Sequence, residues 1–283
     1  MPVKPESAFA REYEFSEQTF QRLRRLVHVE LGISLADSKR ELVYRRLSRR
    51  LRALQLEDFE SYLRLIEQRH PEELQNFCNA ITTNLTAFFR EHYHFDFLAQ
   101  QLLPALERNN ADTRRIRIWS AGCSSGEEPY SIAMVALETL GHLRDWNLRI
   151  LATDIDSDVL EHARRGIYGG ERLEKLDAAR LLRWFRRVGR SRQYRVGQEL
   201  RRLISFKSLN LIDPWPMKGP FDVIFCRTVV IYFDRRTQSD IVERMARLQR
   251  PGDHLILGHS ESLLEVSARY RLIRQAIHRR LGP

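Results

Sequence analysis

The sequence predicts an α/β chain: a small all-helical domain over residues 1–90, a linker helix over 91–112, and a larger domain over 113–283 in which parallel strands alternate with helices. Three observations carry that expectation. The first eighty or so residues show only helical spacing of their apolar positions. From Arg115 to Met134, apolar alternation passes through a small-residue turn into helical periodicity, which reads as strand, tight loop and helix. Beyond that point the strand-and-helix rhythm runs to the end of the chain with one interruption, at 168–200.

The first helix begins at Ser16, placed as N-cap, with Phe15 and Phe20 as a hydrophobic staple. Phe20, Leu23, Val27 and Leu31 form its apolar face, and Gly32 stops it. Ser38-Lys-Arg-Glu41 reads as a capping box for a second helix, with Val43, Leu47, Leu51 and Leu54 on one stripe. Arg45, Arg49 and Arg52 lie on the opposite face, and Arg46 and Arg50 lie between. Seven of the fourteen residues from Lys39 to Arg52 are basic and only Glu41 is acidic. Such a run is either a solvated face or a docking surface. Like charges at i, i+4 oppose helix formation, which favours a compensating partner. Helices around Phe59–Gln68 and, after Pro71, Glu72–Ile81 complete the helical domain.

Thr83-Asn-Leu-Thr-Ala-Phe-Phe-Arg-Glu91 interleaves polar and apolar residues, and a helix through Phe95, Leu98, Leu102 and Leu103 leads on to a turn-rich junction at 109–113. After the strand from Arg115, Gly122 and Gly126 bracket Cys123, Ser124 and Ser125, so backbone can approach a ligand and turn N–H groups toward it. The following helix has Pro129 near its first turn and Ile132, Val135 and Ala136 on one side. G-x-x-x-G is neither the dinucleotide fingerprint nor a P-loop. The turn therefore reads either as the cradle of a nucleotide-like ligand or as a βα turn with small residues for packing. Leu148–Thr153 is the second parallel strand. Asp154 at its carboxyl end is placed to accept from both hydroxyls of a ribose, and Asp156 or Ser157 caps the next helix. Between 168 and 200, a helix at Ala178–Phe185, an Arg-rich stretch at 186–192 and Gln193–Val196 suggest an inserted β-ribbon. The rhythm resumes with Leu203–Phe206, Asn210-Leu211 and the strand Phe221–Cys226. A helix around Arg235–Leu248, a strand at His254–Leu257 and a hairpin over Tyr270–Leu281 follow.

A formal net charge of +10 points to an acidic partner: nucleic acid, an anionic membrane surface or an acidic protein. No apolar run approaches the roughly 18 residues of a membrane span. The start, Met1-Pro-Val-Lys-Pro-Glu6, has no export-signal core, so a soluble cytoplasmic protein without membrane insertion is expected. Cys78, Cys123 and Cys226 are widely separated, and His92 and His94 fall on different helix faces, so neither a disulfide framework nor a metal site is expected.

The runs TNLTAFFRE (83–91), SAGCSSGEEPYSIA (120–133), ATDID (152–156), LNL (209–211), FDVIFCR with IYF (221–233) and GHSE (258–261) together resemble the chemotaxis receptor methyltransferases, CheR, in order and spacing. The resemblance spans nearly the whole chain. It implies a helical docking domain, a Rossmann-like S-adenosylmethionine (SAM) domain and an inserted antiparallel β-subdomain. The implied reaction moves a methyl group from SAM to glutamate carboxylates on the cytoplasmic helices of methyl-accepting chemotaxis receptors, with S-adenosylhomocysteine as product and no metal. The enzyme would be cytoplasmic and recruited to membrane receptor arrays.

Matched position by position, Asn84, Thr86 and Arg90 fall in the segment that closes over the cofactor, with Gly122 in the glycine turn. Glu128 and Asp154 match acidic ligands, Asn210 and Leu211 adenine-side contacts, and Arg227 a further pocket residue. Tyr232 matches a tyrosine facing the transferred methyl. Thr228 stands where the family often has Asn, exchanging an amide contact for a hydroxyl. The chemistry needs no general base, because a glutamate with a pKa of about 4.3 is already ionised. Alignment can supply roughly 7–11 kcal/mol. Arg90 could hold the carboxylate bidentately and Tyr232 orient it; the plainer alternatives are an interdomain salt bridge and a satisfied core tyrosine.

A nucleic-acid methyltransferase of the same fold is the main rival, given the positive charge, but no Asn/Asp-Pro-Pro-aromatic motif ends the 221–226 strand. A non-catalytic, SAM-dependent receptor-binding module is the other. Some family members grip a tether peptide at the receptor's C-terminus through a glycine-containing loop in the β-subdomain. The corresponding segment here, 186–194, is shorter, Arg-crowded and holds only Gly189. Independence from the tether, with docking through Arg45, Arg49 and Arg52, is therefore expected.

Overall fold

The computed structural model describes residues 11–141, 145–263 and 266–282, so the expectation about the first six residues lies outside them. Two compact units divide at Thr82/Thr83, and the stretch 83–90 groups with the second.

The first unit holds α1 (Glu17–Leu31), α2 (Arg40–Ala53), α3 (Phe59–Glu67) and α4 (Pro71–Ile81). Ser16 caps α1 by accepting from the Thr19 N–H at 3.1 Å, and Gly32 ends it in left-handed backbone. Phe15 packs on Phe20 and Phe59, with centroids 6.0 and 4.6 Å away. Phe20, Leu23, Val27, Val43, Leu47, Leu51, Tyr62 and Ile66 fill the core, while Leu54 is only half-buried.

The capping box at Ser38 does not form. Asp37–Lys39 is a 3₁₀ turn that runs straight into α2, so the preceding backbone serves the helix start, and Glu41 pairs with Arg11 instead at 3.0 Å. The arginines of α2 divide by face. Arg46 donates to the carbonyls of Ala80, Ile81 and Thr82 at 3.2, 3.0 and 2.7 Å, closing the C-terminus of α4. Arg50 forks onto buried Glu73, which also accepts from Tyr62 Oη. Arg45 and Arg49 are exposed and have no polar partner among the described residues, and exposed Arg52 lies 3.5 Å from Glu12.

The second unit is built on one mixed sheet. Its strands are β1 (Arg115–Ala121), β2 (Asn147–Asp154), β6 (Ile204–Ser208), β7 (Val223–Cys226), β8 (His254–Leu257), β9 (Tyr270–Arg274) and β10 (Ile277–Arg280), in the order β6-β2-β1-β7-β8-β10-β9. The first five in that order are parallel and the final hairpin is antiparallel, a Rossmann-like arrangement. A second sheet of β3 (Ile167–Gly169), β5 (Gln193–Val196) and β4 (Phe185–Arg187) is antiparallel. It is inserted between β2 and β6 with the short helices α9 (Gly170–Leu173) and α10 (Ala178–Trp184), and α11 (Gln198–Arg201) follows it.

Tyr93–Asn109 is helical throughout, α5 (Tyr93–Phe97) passing through a π-turn at Leu98–Leu102 into α6 (Leu103–Asn109). Its Phe95, Leu98 and Leu103 share a core with Ile116, Ile118, Ile150 and Phe225 of the sheet and Ile132, Ala133 and Ala136 of α7 (Glu127–Leu140). The helices α8 (Ser157–Arg165) and α12 (Arg235–Arg247) complete the unit. Because β2, β1, β7 and β8 are parallel neighbours, the loops after Asp154, Ala121, Cys226 and Leu257 all emerge at the same edge of the sheet.

Candidate functional site

The loop after β1 is shaped by glycine. Gly122 and Gly126 have φ of 78° and 97°. A Cβ on Gly122 would collide with the Val229 side chain, and one on Gly126 would lie 2.8 Å from Ala163 Cβ. The N–H groups do not all turn toward a ligand, as the sequence suggested. Those of Gly122 and Cys123 donate to Thr153 O at 2.8 and 2.9 Å, and that of Ser124 to Asp154 Oδ2 at 2.8 Å, because β2 runs alongside and its end needs donors. At the same turn lie the Asp154 carboxylate and the Ser124 hydroxyl, which is buried without a hydrogen-bond partner among the described residues.

Asp154 also accepts from the Asp156 N–H at 3.0 Å. Burial pushes its carboxyl up to about 6, against the pull of the Asp156, Ser124 and Ile155 N–H groups. Asp156 caps α8 and holds Asn84 Nδ2 at 2.6 Å. Leu209 N–H donates to Asp154 O at 2.9 Å, which brings Asn210 and Leu211 beside the end of β2. Asn210 Oδ1 accepts from Ile212 N–H at 3.3 Å, and Leu211 is buried.

The 83–91 segment is pinned at several points. Phe88 packs on Tyr168 and Phe185, and Phe89 N–H donates to Ser131 Oγ at 3.1 Å. Thr86 is half-buried and makes no side-chain hydrogen bond among the described residues. The half-buried Arg90 guanidinium donates to Leu85 O at 2.6 Å and forms no ion pair among the described residues.

Arg227, just past β7, is the hub. Buried, it donates to Glu128 Oε2 at 3.0 Å and to Arg90 O, and lies 3.2 Å from Glu91 Oε2. Glu128 Oε1 accepts from Ser120 Oγ at 2.7 Å. Burial raises the Glu128 pKa, while Arg227 and Ser120 counter the rise. Glu128 and Arg227, both expected as pocket residues, are thus bonded to each other. Burial also works to raise the Glu91 pKa, but His259, with Nδ1 2.6 Å away, and Arg227 hold it at about 2.

Thr228 follows in left-handed backbone, φ 59°. Tyr232 ends a 3₁₀ turn, half-buried, its hydroxyl without a partner among the described residues, so it is not a satisfied core tyrosine. Asn84, Thr86, Arg90, Gly122, Glu128, Asp154, Asn210, Leu211, Arg227, Thr228 and Tyr232 all lie in the second unit, where hydrogen bonds tie Asn84 to Asp156 beside Asp154, and Arg227 to Glu128 and to the Arg90 carbonyl. Arg45, Arg49 and Arg52 belong to the first. Sequence reasoning assigned no role to Ser120, Glu91, His259 or Glu261. All four lie within the runs it singled out, but only their through-space partners mark them.

These groups suit SAM: a carboxylate at the end of β2 to accept from ribose hydroxyls, an unpartnered buried hydroxyl in the glycine turn, and Asn210-Leu211 beside them. No described helix is long and apolar enough to cross a membrane.

Comparison with known proteins agrees. Residues 18–82 match the CheR methyltransferase all-alpha domain, and residues 84–278 match the CheR methyltransferase SAM-binding domain. Chemotaxis protein methyltransferase 2 of Pseudomonas aeruginosa is 45% identical over 273 residues, covering 94% of each chain. The chemotaxis protein methyltransferase of Escherichia coli is 45% identical, covering 93% of this chain and 91% of its own. That of Salmonella typhimurium is 44% identical, covering 93% and 90%. With both domains matched in order along one chain, and relatives sharing nearly half their residues with it over more than nine-tenths of its length, the chain belongs to the CheR methyltransferase family and carries its SAM-binding domain.

Proposed function

We propose that the protein methylates glutamate side-chain carboxylates on the cytoplasmic helices of chemotaxis receptors, giving methyl esters and S-adenosylhomocysteine, at receptor arrays on the cytoplasmic side of the membrane. One observation carries the reading. Arg90 and Tyr232, on segments joined through Arg227, present a guanidinium without an ion pair and a hydroxyl without a partner among the described residues. Together they suit a carboxylate acceptor that needs orientation and no deprotonation.

SAM, when bound, supplies a sulfonium-activated methyl group. Asp154 and Ser124 would take its ribose end, Asn210 and Leu211 its adenine, and Asn84 and Thr86 the side closed by the 83–91 segment. The Glu128–Arg227 pair holds that segment in register. Arg90 would grip the glutamate carboxylate in two-point fashion and Tyr232 aim one oxygen at the methyl. The names of the relatives, chemotaxis protein methyltransferases, support the choice of receptor. Arg45 and Arg49, exposed and without polar partners among the described residues, would dock its acidic helices together with Arg52.

Product chemistry tests the reading. Receptor labelled with methyl-tritiated SAM should release its label as methanol in mild alkali. Label found in nucleic acid would replace the glutamate reading with the nucleic-acid one, alkali-stable label on the receptor would mean N-methylation of its side chains, and no transfer at all would leave a binding module.

A further inference from the structure

The turn after β8, Gly258-His-Ser-Glu261, reaches both segments that carry the proposed acceptor groups. On one side His259 meets Glu91 at the end of the 83–91 segment. On the other, the Glu261 carboxylate enters the loop after β7. It is 6% exposed. Oε2 accepts from the N–H groups of Gly258 and Thr228 at 2.6 and 2.7 Å, and Oε1 from those of Val229 and Ile231 at 2.9 and 3.2 Å. No cationic side chain pairs with it among the described residues.

A buried carboxylate held by backbone donors alone is an expensive way to fill space, and an apolar side chain would pack there without desolvating a charge. What the carboxylate does that an apolar group cannot is fix three N–H groups of one short loop at once. That loop includes Thr228 in left-handed backbone, which a non-glycine residue keeps only where its surroundings over-determine it. The fit is close, since a Cβ on Gly258 would lie 3.0 Å from Thr228 N. Tyr232 follows Ile231 directly, so the clamp ends one residue before the proposed acceptor-facing hydroxyl.

We propose that Glu261 is a positioning residue for methyl transfer: by clamping the backbone of 228–231 it sets where the Tyr232 hydroxyl stands. This rests on the reading of Tyr232 given above. Glu261→Gln keeps the shape but places an NH₂ group against backbone donors. Combined with Tyr232→Phe in a double-mutant cycle, it separates a positioning role from a merely structural one.

Single-turnover methylation by Glu261→Gln should fall about tenfold or more with the receptor KM within about threefold of the parent, and adding it to Tyr232→Phe should cost less than about threefold further. A parental rate for Glu261→Gln beside a slow Tyr232→Phe overturns the proposal alone, as do losses that simply multiply. A parental rate for Tyr232→Phe overturns the tyrosine reading and the proposal with it. Should Glu261→Gln not fold, Glu261→Asp, which keeps the charge but retracts it by one methylene, carries the same cycle and is read the same way.

Discussion

The loops after β1 and β7 leave neighbouring strands and each contains a non-glycine residue in left-handed backbone, Ser124 at φ 49° and Thr228 at φ 59°. In both, a carboxylate from another element takes that residue's N–H: Asp154 for Ser124 and Glu261 for Thr228. The difference lies in what else holds them. The β1 loop has a glycine on either side and leans lightly on Asp154. The β7 loop has none and depends on four donors to Glu261, one from Gly258 and three from the loop itself. A carboxylate has about four acceptor positions. Glu261 uses them on backbone, while Asp154 keeps capacity for a ligand. On the proposed reading Glu261 is scaffold and Asp154 is site, Glu261 taking four backbone donors and Asp154 three.

The strongest way to break this contrast is Gly122→Ala. The new methyl must displace Val229 and accept a positive φ, so stability should fall by about 3 kcal/mol in urea denaturation. A loss under about 1 kcal/mol would mean the β1 loop does not need its glycine.

Next in size, Asp154→Ala should weaken S-adenosylhomocysteine binding by about 1.5–3 kcal/mol by calorimetry. With its carboxyl raised to about 6, Asp154 loses the accepting charge as pH falls through that value. Affinity should therefore drop roughly tenfold between pH 7.5 and 5, and Asp154→Asn should flatten the dependence. Unchanged binding in Asp154→Ala would make it scaffold, like Glu261.

Arg90→Ala and Tyr232→Phe should lower single-turnover methylation at least tenfold, about 1.4 kcal/mol, with cofactor affinity little altered. Parental rates in both would detach the β7 loop from the chemistry. The smallest effect is expected from Thr228→Gly. Relief of left-handed strain and the extra freedom of the unfolded chain offset each other, so stability should stay within about 0.5 kcal/mol of the parent. A large gain would show that the Glu261 clamp holds Thr228 under more strain than its φ suggests.

The same contrast explains how much could be read from the sequence. Ser16, Phe15 and Gly32 mark the limits of α1 because caps act within a turn of the helix, and Gly122, Gly126 and Asp154 stand out because a βα turn and its strand end are local patterns. Ser38 misled because S-x-x-E also suits a 3₁₀ turn entering a helix, and which one forms depends on where Glu41 finds its partner, at Arg11. That the β1-loop N–H groups serve Thr153 follows from strand pairing, which spacing does not reveal. Glu261 and the 228–231 amides are separated along the chain by residues that say nothing of their meeting. On α2, periodicity separated the exposed Arg45, Arg49 and Arg52 from Arg46 and Arg50, but the partners of Arg46 are main-chain carbonyls that have no letter in a sequence.

Those carbonyls determine where the chain can be divided. The Arg46 guanidinium gathers Ala80, Ile81 and Thr82 O, while Thr82 takes the Cys78 and Asn79 carbonyls with its N–H and hydroxyl, so the last turn of α4 is finished jointly by a side chain from α2 and by the residue that follows the helix. A separately expressed helical fragment has to run through Thr82 to retain all three acceptors. Trimmed back to Asn79, where the amphipathic pattern is nearly complete, it would take these three acceptors from a half-buried guanidinium and fray the helix it was meant to preserve.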